Sequence, residues 1–278
     1  MISVIIPVKN REKLIIDSMM SVLDQDYRDI ELIVVEDGST DNTYEAVLSV
    51  KDNRVRCLKL EESVGQCEAR NRGAEIARGE YIAYNDSDDI WHPNKLSRQL
   101  AYLTENNADI VFCGINRNID GKIEYYPPRE IENPNDVSNY LDIGLASTQT
   151  IMLKKTVIET MGWDPGFKRL TDRDLILTAF ESGFRMAYLN EALVDVNVLT
   201  DSVTNTENSA IALKMLVEKH SDIYTRYPDK IAKVYAEMAC LVKDCDRKLA
   251  AEYLEKSLKE DFKLKTITKY LLNIFRIW

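Results

Sequence analysis

The sequence predicts an α/β fold in which a mainly parallel sheet is flanked by helices, followed by a C-terminal region made only of helices. Through the first two thirds of the chain, short β-branched runs alternate with segments whose apolar residues recur at helical spacing. That alternation is typical of a parallel sheet covered by helices on both faces. After about residue 205 the helical stripes continue without a strand-like run. We therefore divide the chain into residues 1–205 and a helical region, 206–278.

Each element of the first region has its own pattern. Near-continuous apolar runs predict strands buried on both faces at Ser3–Val8, Glu31–Val35 and Asp109–Cys113, with shorter strands at Val55–Leu60 and Glu80–Tyr84. Apolar stripes predict helices over Leu14–Leu23, over Gln66–Arg78, where small residues recur every four positions, and from Pro93 past Leu103. In the second region the stripes predict helices at Ile211–Tyr224, Ile231–Val242 and Leu249–Leu258.

Charge and composition exclude several functions. Of 278 residues, 36 are basic and 46 are acidic, which gives a net charge of −10. Such a chain is not expected to bind nucleic acid, and anionic substrates need a local basic patch or a bound cation. The five cysteines lack paired spacing and there are only two histidines, so neither a zinc site nor a disulfide framework is predicted. A bound metal would have oxygen ligands, which favours Mg²⁺ or Mn²⁺.

Acidic segments stand where predicted strands end. Because ligands of open parallel sheets bind outside the carboxyl ends of the strands, these segments are expected to meet at one site. Asp86 and Asp88 follow the strand Glu80–Tyr84, and residues two apart on extended backbone point to the same side. Two such carboxylates suit a hard divalent cation, which could hold a diphosphate leaving group. The alternative, that they cap the next helix, is disfavoured because Pro93 would place that cap at His92.

The other two acidic segments allow two interpretations each. Asp37 stands in an Asp-Gly pair typical of turns, although its place directly after a strand favours a ligand contact. Asp172 can serve as a catalytic base, or it can simply begin a helix, since Thr171 and Asp174 stand at capping spacing. The first strand is followed by Pro7–Asn10 without glycine, so a nicotinamide-dependent oxidoreductase is disfavoured.

Five segments in register resemble the family 2 glycosyltransferases over about residues 1–205. They are Ser3–Asn10, Val34–Thr43, Ala69–Gly73, Gly79–Ile82 and Asn85–Asp89. The resemblance implies a GT-A fold and an inverting transfer from a nucleotide-sugar donor, most often UDP-linked, to a hydroxyl of a polysaccharide or a lipid-linked glycan. It also implies a divalent cation, Mn²⁺ or Mg²⁺, at the diphosphate.

The resemblance also implies roles for individual residues. Asp172 would deprotonate the acceptor hydroxyl, Asp88 would coordinate the metal, and Asp86 would contact the metal or the ribose. Trp91 would lie near the sugar or pack in the core. The donor nucleotide would be bound by Pro7, Val8, Asn10, Glu12, Asp37, Arg70 and Asp86.

Three positions depart from the family pattern. Glu36 replaces an Asp, Thr171 stands where a Glu commonly precedes the base, and Leu199 stands where a histidine is often found. Two other functions therefore stay open. A metal-dependent phosphoryl or nucleotidyl transferase would need a Gly-rich phosphate loop or a lysine near the first strand, where Lys9 stands. A non-catalytic nucleotide-sugar binder would tolerate the changes at Thr171 and Leu199.

The C-terminal segment Phe262–Trp278 is basic and amphipathic. It contains four cationic residues and no acid, and its apolar residues fall at helical spacing. Packing of this face on the domain or on a second copy in a homodimer is the favoured interpretation, and contact with an anionic membrane surface is the alternative. No run approaches the roughly 20 apolar residues needed to span a bilayer. We expect a cytoplasmic protein that is at most peripheral at the inner face of the membrane.

Overall fold

The computed structural model describes residues 1–119, 121–127, 130–141, 147–198, 206–262 and 268. Within these residues nine strands form one sheet: β1 (Ile2–Val8), β2 (Ile30–Asp37), β3 (Val55–Leu60), β4 (Tyr81–Tyr84), β5 (Ile90–Trp91), β6 (Ile110–Ile119), β7 (Lys122–Tyr126), β8 (Met152–Lys154) and β9 (Met186–Val198). The helices are α1 (Ile15–Leu23), α2 (Thr43–Ser49), α3 (Gln66–Ile76), α4 (Lys95–Glu105), α5 (Ser138–Leu141), α6 (Lys155–Met161), α7 (Thr171–Glu181), α8 (Thr206–Lys219), α9 (Ser221–Tyr224), α10 (Pro228–Val242) and α11 (Arg247–Glu260).

The sheet has the order β3-β2-β1-β4-β8-β6-β9-β5, and β7 pairs with β6 as a hairpin. Its first half, β3-β2-β1-β4, is parallel throughout. The short strand β8 then runs antiparallel to both β4 and β6, whereas β6 and β9 are parallel. The predicted α/β fold is therefore confirmed, with parallel pairing concentrated in the half that precedes β8.

Two apolar layers cover the sheet, because successive side chains of a strand point to opposite faces. In β1, Val4 and Ile6 pack with Met19 of α1 and Leu96 of α4. Ile5 points to the other face and belongs to the core cluster beneath α3 and α7. All of these positions are fully buried, which explains why the β1 sequence is apolar without interruption.

Helix α3 lies directly against β1 because of a glycine. A Cβ atom on Gly73 would stand 2.6 Å from Cγ2 of Ile5, so any larger residue would push the helix away from the sheet. The small residues that recur along this helix therefore allow its close approach to the sheet. This approach places Arg70, one turn earlier in α3, under the ends of the central strands.

The helices after residue 205 pack on the α3 face of the sheet. Leu213 and Leu216 of α8, Met238 of α10 and Leu254 of α11 belong to the same core cluster as Ile5. Helical structure in this region is thus as predicted, while the division at residue 205 stays a prediction. Across the described ranges, no helix combines the length and apolarity that a membrane crossing requires.

The start of α4 differs from its prediction. The helix predicted to start at Pro93 begins instead at Lys95, with Asn94 as its N-cap residue, and the Pro93 carbonyl accepts a hydrogen bond from the Asp26 N–H. Apart from 262 and 268, the basic segment 262–278 lies outside the described residues, as does Leu199.

Candidate functional site

A polar cleft of about 390 Å³ lies at the carboxyl ends of the parallel strands. Strands β1, β2 and β4 each contribute residues from their ends, and the loop after β3 closes one side. The sequence prediction placed ligand contacts at this edge, which is the edge that open parallel sheets use. The lining residues are Pro7, Val8, Lys9, Arg11, Asp37, Ser63, Gly65, Gln66, Asp86, Ser87 and Asp88.

Five of the predicted site residues line this cleft: Pro7, Val8, Asp37, Asp86 and Asp88. The prediction did not assign Lys9, Arg11, Ser87 or the Ser63–Gln66 side of the cleft as site residues. The rule that ligands meet strand ends could have found Ser63–Gln66, since this segment follows β3 at the same edge.

Asp37 ends β2 and fastens the loop that follows β3. Its Oδ1 accepts a hydrogen bond from the Val64 N–H at 2.6 Å, and its Oδ2 accepts from the Gly65 N–H at 3.0 Å and the Ser63 hydroxyl at 2.9 Å. Gly38 permits this arrangement, because it has φ +65° and a Cβ there would stand 2.9 Å from the Ser63 nitrogen. Asp37 therefore builds one wall of the cleft.

Asn10 and Glu12 do not line the cleft, although they border it. Asn10 has a left-handed backbone with φ 53°, and its Oδ1 accepts a hydrogen bond from the Thr40 N–H at 2.9 Å. Glu12 Oε2 accepts from the backbone and side chain of Asn42 at 3.1 and 3.0 Å. Both residues tie the loop after β1 to the loop after β2, and this holds Lys9 and Arg11 at the rim.

Arg70 lies beneath the cleft and supports Asp86. Its Nη2 donates to Asp86 Oδ1 at 3.0 Å and to Gln66 Oε1 at 3.1 Å. The guanidinium carbon lies 4.8 Å from the Trp163 ring centroid, and the side chain is only 1% exposed. Within the described residues its Nε and Nη1 have no hydrogen-bond partner. The side chain is thus a buried cation directed at the acidic edge.

The segment after β4 concentrates three carboxylates. Partial burial, together with the charge of Asp86, raises the pKa of Asp88, while Arg11, whose Nε lies 3.6 Å away, opposes the rise. Burial raises the pKa of Asp89 to about 8, and the charges of Asp86 and Asp88 add to the effect. The prediction singled out Asp86 and Asp88 and left Asp89 aside. Unfavourable repulsion of this kind is what a bound cation relieves.

The residues present fit a divalent cation shared with a substrate. Asp86 and Asp88 offer hard oxygen ligands on the cleft surface, and Mg²⁺ is commonly held by one or two carboxylates together with substrate phosphates. Among the described residues no group of three or more His, Cys, Asp or Glu side chains surrounds a single metal position. The protein would therefore supply Asp88 and Asp86, and the other ligands would come from substrate and water.

Asp172 stands in the first turn of α7, next to the acidic edge. Burial raises the pKa of its carboxyl, and the hydrogen bond from the Arg173 N–H at 2.8 Å and the charges of Arg173 and Arg70 oppose the rise. The negative charge of Asp86 raises that pKa further, so the two acids belong to one electrostatic site. The helix begins at Thr171 after Leu170, which has a left-handed φ of 57° and makes no side-chain cap. Of the two interpretations of this cluster, the start of a helix is present, with Thr171 as the first helical residue and not its cap, while the role of Asp172 as a base stays a prediction.

Trp91 lies in the core. It is 2% exposed, its strand β5 pairs with β9, and the Lys95 ammonium lies 3.7 Å from its ring centroid. Of the two interpretations of this residue, packing is the correct one.

Comparisons with known proteins agree with this architecture. Residues 3–196 match the family model for glycosyl transferase family 2. Glycosyltransferase GlyG of Streptococcus pneumoniae is 41% identical over 113 residues, 40% of this chain and 38% of GlyG. The UDP-Glc:alpha-D-GlcNAc-diphosphoundecaprenol beta-1,3-glucosyltransferase WfgD of Escherichia coli is 36% identical over 162 residues, 57% of this chain and 62% of WfgD. The chain thus covers less than two thirds of each of these two relatives.

Solved structures establish the fold. S. aureus TarS 1–349 in complex with UDP superposes with a TM-score of 0.60 at 18% identity, covering 97% of this chain and 91% of that one. The mannosyltransferase PcManGT of Pyrobaculum calidifontis, in complex with GDP-Man and Mn²⁺, superposes with a TM-score of 0.63 at 18% identity. The superposition covers 99% of this chain and 84% of PcManGT. The GT-A fold is confirmed. Because the family model covers well over half of the chain, the protein belongs to glycosyl transferase family 2.

Proposed function

We propose that the protein is an inverting glycosyltransferase that moves a sugar from a nucleotide-sugar donor, a UDP-sugar, to a hydroxyl of a polysaccharide or lipid-linked glycan. The observation that carries the proposal is that the acidic ends of β2 and β4 meet in one cleft, with Asp172 next to them. Arg70 connects the cleft with Asp172, since it is paired with Asp86 and its positive charge acts on the Asp172 carboxyl.

Donor binding is assigned to the cleft between Asp37 and Asp88. The wall built by Asp37, Ser63 and Gly65 has the polar groups that a nucleoside requires, and Lys9 and Arg11 stand at the rim where a diphosphate needs cations. WfgD is named for a UDP-Glc donor and a diphosphoundecaprenol-linked acceptor, and TarS is solved with UDP-GlcNAc. The name of WfgD, which is 36% identical to this chain over 162 residues, favours a UDP-linked donor and a lipid-linked acceptor.

Transfer requires a base and a stabilised leaving group. As the acceptor oxygen bonds to the anomeric carbon, the bond from that carbon to the donor phosphate breaks, and Asp172 takes the hydroxyl proton. Arg70 holds Asp86 in position, and Arg11 faces the site where the nucleoside diphosphate departs. When bound at Asp88 and Asp86, Mn²⁺ or Mg²⁺ supplies positive charge to that diphosphate. Displacement from the face opposite the leaving group inverts the anomeric centre.

We assign this chemistry to residues 1–205 and a supporting role to the helices of 206–278. Contact of 262–278 with a membrane surface, and homodimer formation, stay predictions. A non-catalytic nucleotide-sugar binder would share the donor cleft, so only turnover distinguishes it from a transferase.

Thermal unfolding with nucleotides tests the donor site. UDP, GDP, CMP and dTDP are each added with and without Mn²⁺, and a ligand at a hundredfold its dissociation constant stabilises the native state by about 2.7 kcal/mol. We expect UDP to stabilise most and to need Mn²⁺. Asp88→Asn should remove the metal-dependent part, whereas Asp24→Asn, at an exposed aspartate, should not. If no nucleotide stabilises the protein, the proposed function is wrong.

A further inference from the structure

One side chain of helix α3 fastens the turn that follows α6. Asn71 Nδ2 donates a hydrogen bond to the Trp163 carbonyl at 2.8 Å, and the Trp163 N–H donates to Asn71 Oδ1 at 2.8 Å. Because a carbonyl only accepts and an N–H only donates, these two bonds fix the orientation of the amide. Asn71 lies outside the lining of the donor cleft. Its side chain therefore serves to place Trp163.

The indole of Trp163 contacts the Arg70 side chain. Trp163 is 2% exposed, the Arg70 guanidinium carbon lies 4.8 Å from its ring centroid, and Tyr84 meets the ring edge-on at 5.1 Å between centroids. Arg70 Nη2 donates to Asp86 and Gln66, whereas its Nε and Nη1 have no hydrogen-bond partner in the part of the chain that the structure describes. Hydrogen bonds thus hold the guanidinium through one nitrogen, and the indole supplies a second contact.

We propose that Asn71 and Trp163 are positioning residues that hold Arg70 beneath the acidic edge of the cleft. The proposal rests on the glycosyltransferase function proposed above and extends the donor site to two residues outside the cleft lining. Arg70 Nη2 lies 3.0 Å from Asp86 Oδ1, which leaves the other carboxylate oxygen to the cation at the diphosphate. A guanidinium bound through one nitrogen can pivot about that bond, and contact with a fixed ring prevents the pivot. Partners of this kind orient the residues that touch a metal.

Two parts of UDP binding should therefore respond differently to Trp163. The wall built by Asp37 does not involve Asp86, so UDP affinity without Mn²⁺ should not depend on Trp163. The increase in affinity that Mn²⁺ gives requires the Asp86 carboxylate in place, so this increase should depend on Trp163. A residue that only stabilises the fold would leave the increase unchanged in the folded protein.

Calorimetric titration of UDP, with and without Mn²⁺, measures this increase as the ratio of two dissociation constants. Trp163→Leu and Asn71→Ala should each lower the ratio by about threefold or more, which is the scale of a desolvated cation–π contact. Trp163→Phe keeps an aromatic face and should retain most of the ratio. In an Arg70→Met background, Trp163→Leu should lower the ratio no further, because Trp163 acts through Arg70.

Two matched variants guard against a merely structural effect. Asn135 makes the same pair of hydrogen bonds with the Met186 backbone, at 3.0 and 2.8 Å, and Phe112 is a fully buried aromatic residue of β6. Asn135→Ala and Phe112→Leu should destabilise the protein and leave the ratio unchanged. An equal fall of the ratio in these variants, or an unchanged ratio in Trp163→Leu, overturns the proposal.

A crystal structure of nucleotide-free Trp163→Leu separates this proposal from the proposed function. We expect the guanidinium to leave its position, so that Nη2 of Arg70 no longer lies 3.0 Å from Oδ1 of Asp86. An unmoved Arg70 overturns the positioning role, whatever the affinity for UDP. Asn71→Ala takes the place of Trp163→Leu if that variant does not fold. Failure of UDP to bind the wild-type protein contradicts the proposed function instead, and the crystal structure then still decides the positioning role.

Discussion

The Nε2 atom of His220 lies 2.9 Å from Oδ1 of Asp174, and the other ring nitrogen lies 2.9 Å from Oε2 of Glu181. His220 is fully buried and directly follows α8, whereas both carboxylates belong to α7. Each ring nitrogen is thus within hydrogen-bond distance of one carboxylate oxygen. Lys219 strengthens the contact, with its Nζ 2.8 Å from the same oxygen of Asp174. The C-terminal helical region thereby fixes α7, the helix whose first turn contains Asp172.

Replacing His220 should therefore loosen α7. In His220→Gln, the side-chain amide can donate to only one of the two carboxylates, and leaving a buried hydrogen-bonding group without its partner costs about 1–3 kcal/mol. The free energy of unfolding, measured in urea, should fall by that amount. His92→Gln is the matched control, because His92 contacts Asp195 at 2.9 Å on a partly exposed surface and should cost less than about 1 kcal/mol. Equal losses in the two variants would contradict the role of His220 as a buried connection.

Asp37→Asn should destabilise the protein even without nucleotide. The carboxylate accepts three hydrogen bonds from the loop after β3, and an amide NH₂ placed there cannot accept from the backbone donors. Leaving such donors unsatisfied costs about 1–3 kcal/mol. We expect that loss in urea unfolding of the nucleotide-free protein, together with weaker UDP binding. Asp26→Asn, at an exposed residue with one hydrogen bond from Ser97, is the control. If Asp37→Asn kept wild-type stability and still lost UDP binding, Asp37 would act only through direct contact with the base of the nucleotide.

The strand-end residues of the site could be predicted because they follow from topology. Parallel strands end at one edge, so Pro7, Asp37 and Asp88 were placed together from their positions after apolar runs. Their partners were not predictable in the same way. The position of the Ser63–Gln66 loop follows from the end of β3, but no local spacing encodes the hydrogen bonds that Ser63, Val64 and Gly65 donate to the Asp37 carboxylate.

The sequence also could not reveal which polar residues are buried. Arg70 looks like one of several charges on a helix, yet the close packing at Gly73 places it under the sheet at 1% exposure. His220 stands alone in sequence, and its carboxylate partners are 39 and 46 positions away. Such contacts depend on how helices pack, which periodicity does not specify.

Asp172→Asn should stop transfer without affecting the donor site. An amide cannot take the acceptor proton, and loss of a general base typically lowers the rate by about 10²–10⁴-fold. UDP affinity should be unchanged, and Asp222→Asn, at an exposed aspartate, should transfer normally. Because burial raises the pKa of Asp172, the wild-type rate should fall on acidification at a pH above the usual aspartate range. Transfer that persists in Asp172→Asn would place the base elsewhere.

Lys95 is a buried cation without a carboxylate partner in the described residues. Its Nζ donates to Gln99 Oε1 at 2.7 Å, lies over the ring of Trp91, and is 0% exposed. Gln99 is itself held by the Thr150 carbonyl at 2.7 Å, so it cannot move away. Burial lowers the pKa of Lys95 to about 8 from 10.5.

This lowered pKa predicts a pH-dependent stability that Lys95→Met removes. Between about pH 8 and 10.5 the unfolded chain binds the Lys95 proton and the folded protein does not, so the free energy of unfolding rises with pH. The shift corresponds to a gain of about 3 kcal/mol across that interval, relative to Lys95→Met. Below pH 8 the folded wild-type protein must bury the positive charge of Lys95, which favours Lys95→Met. The variant in turn leaves Gln99 Oε1 unpaired, which offsets part of this gain. The variant should therefore be the more stable of the two or nearly equal to wild type. Urea unfolding followed by tryptophan fluorescence measures the difference, with Lys13→Met, at an exposed lysine, as the control. A wild-type minus Lys95→Met difference that stays constant from pH 7 to 10.5 would mean that Lys95 keeps its ordinary pKa in the folded protein.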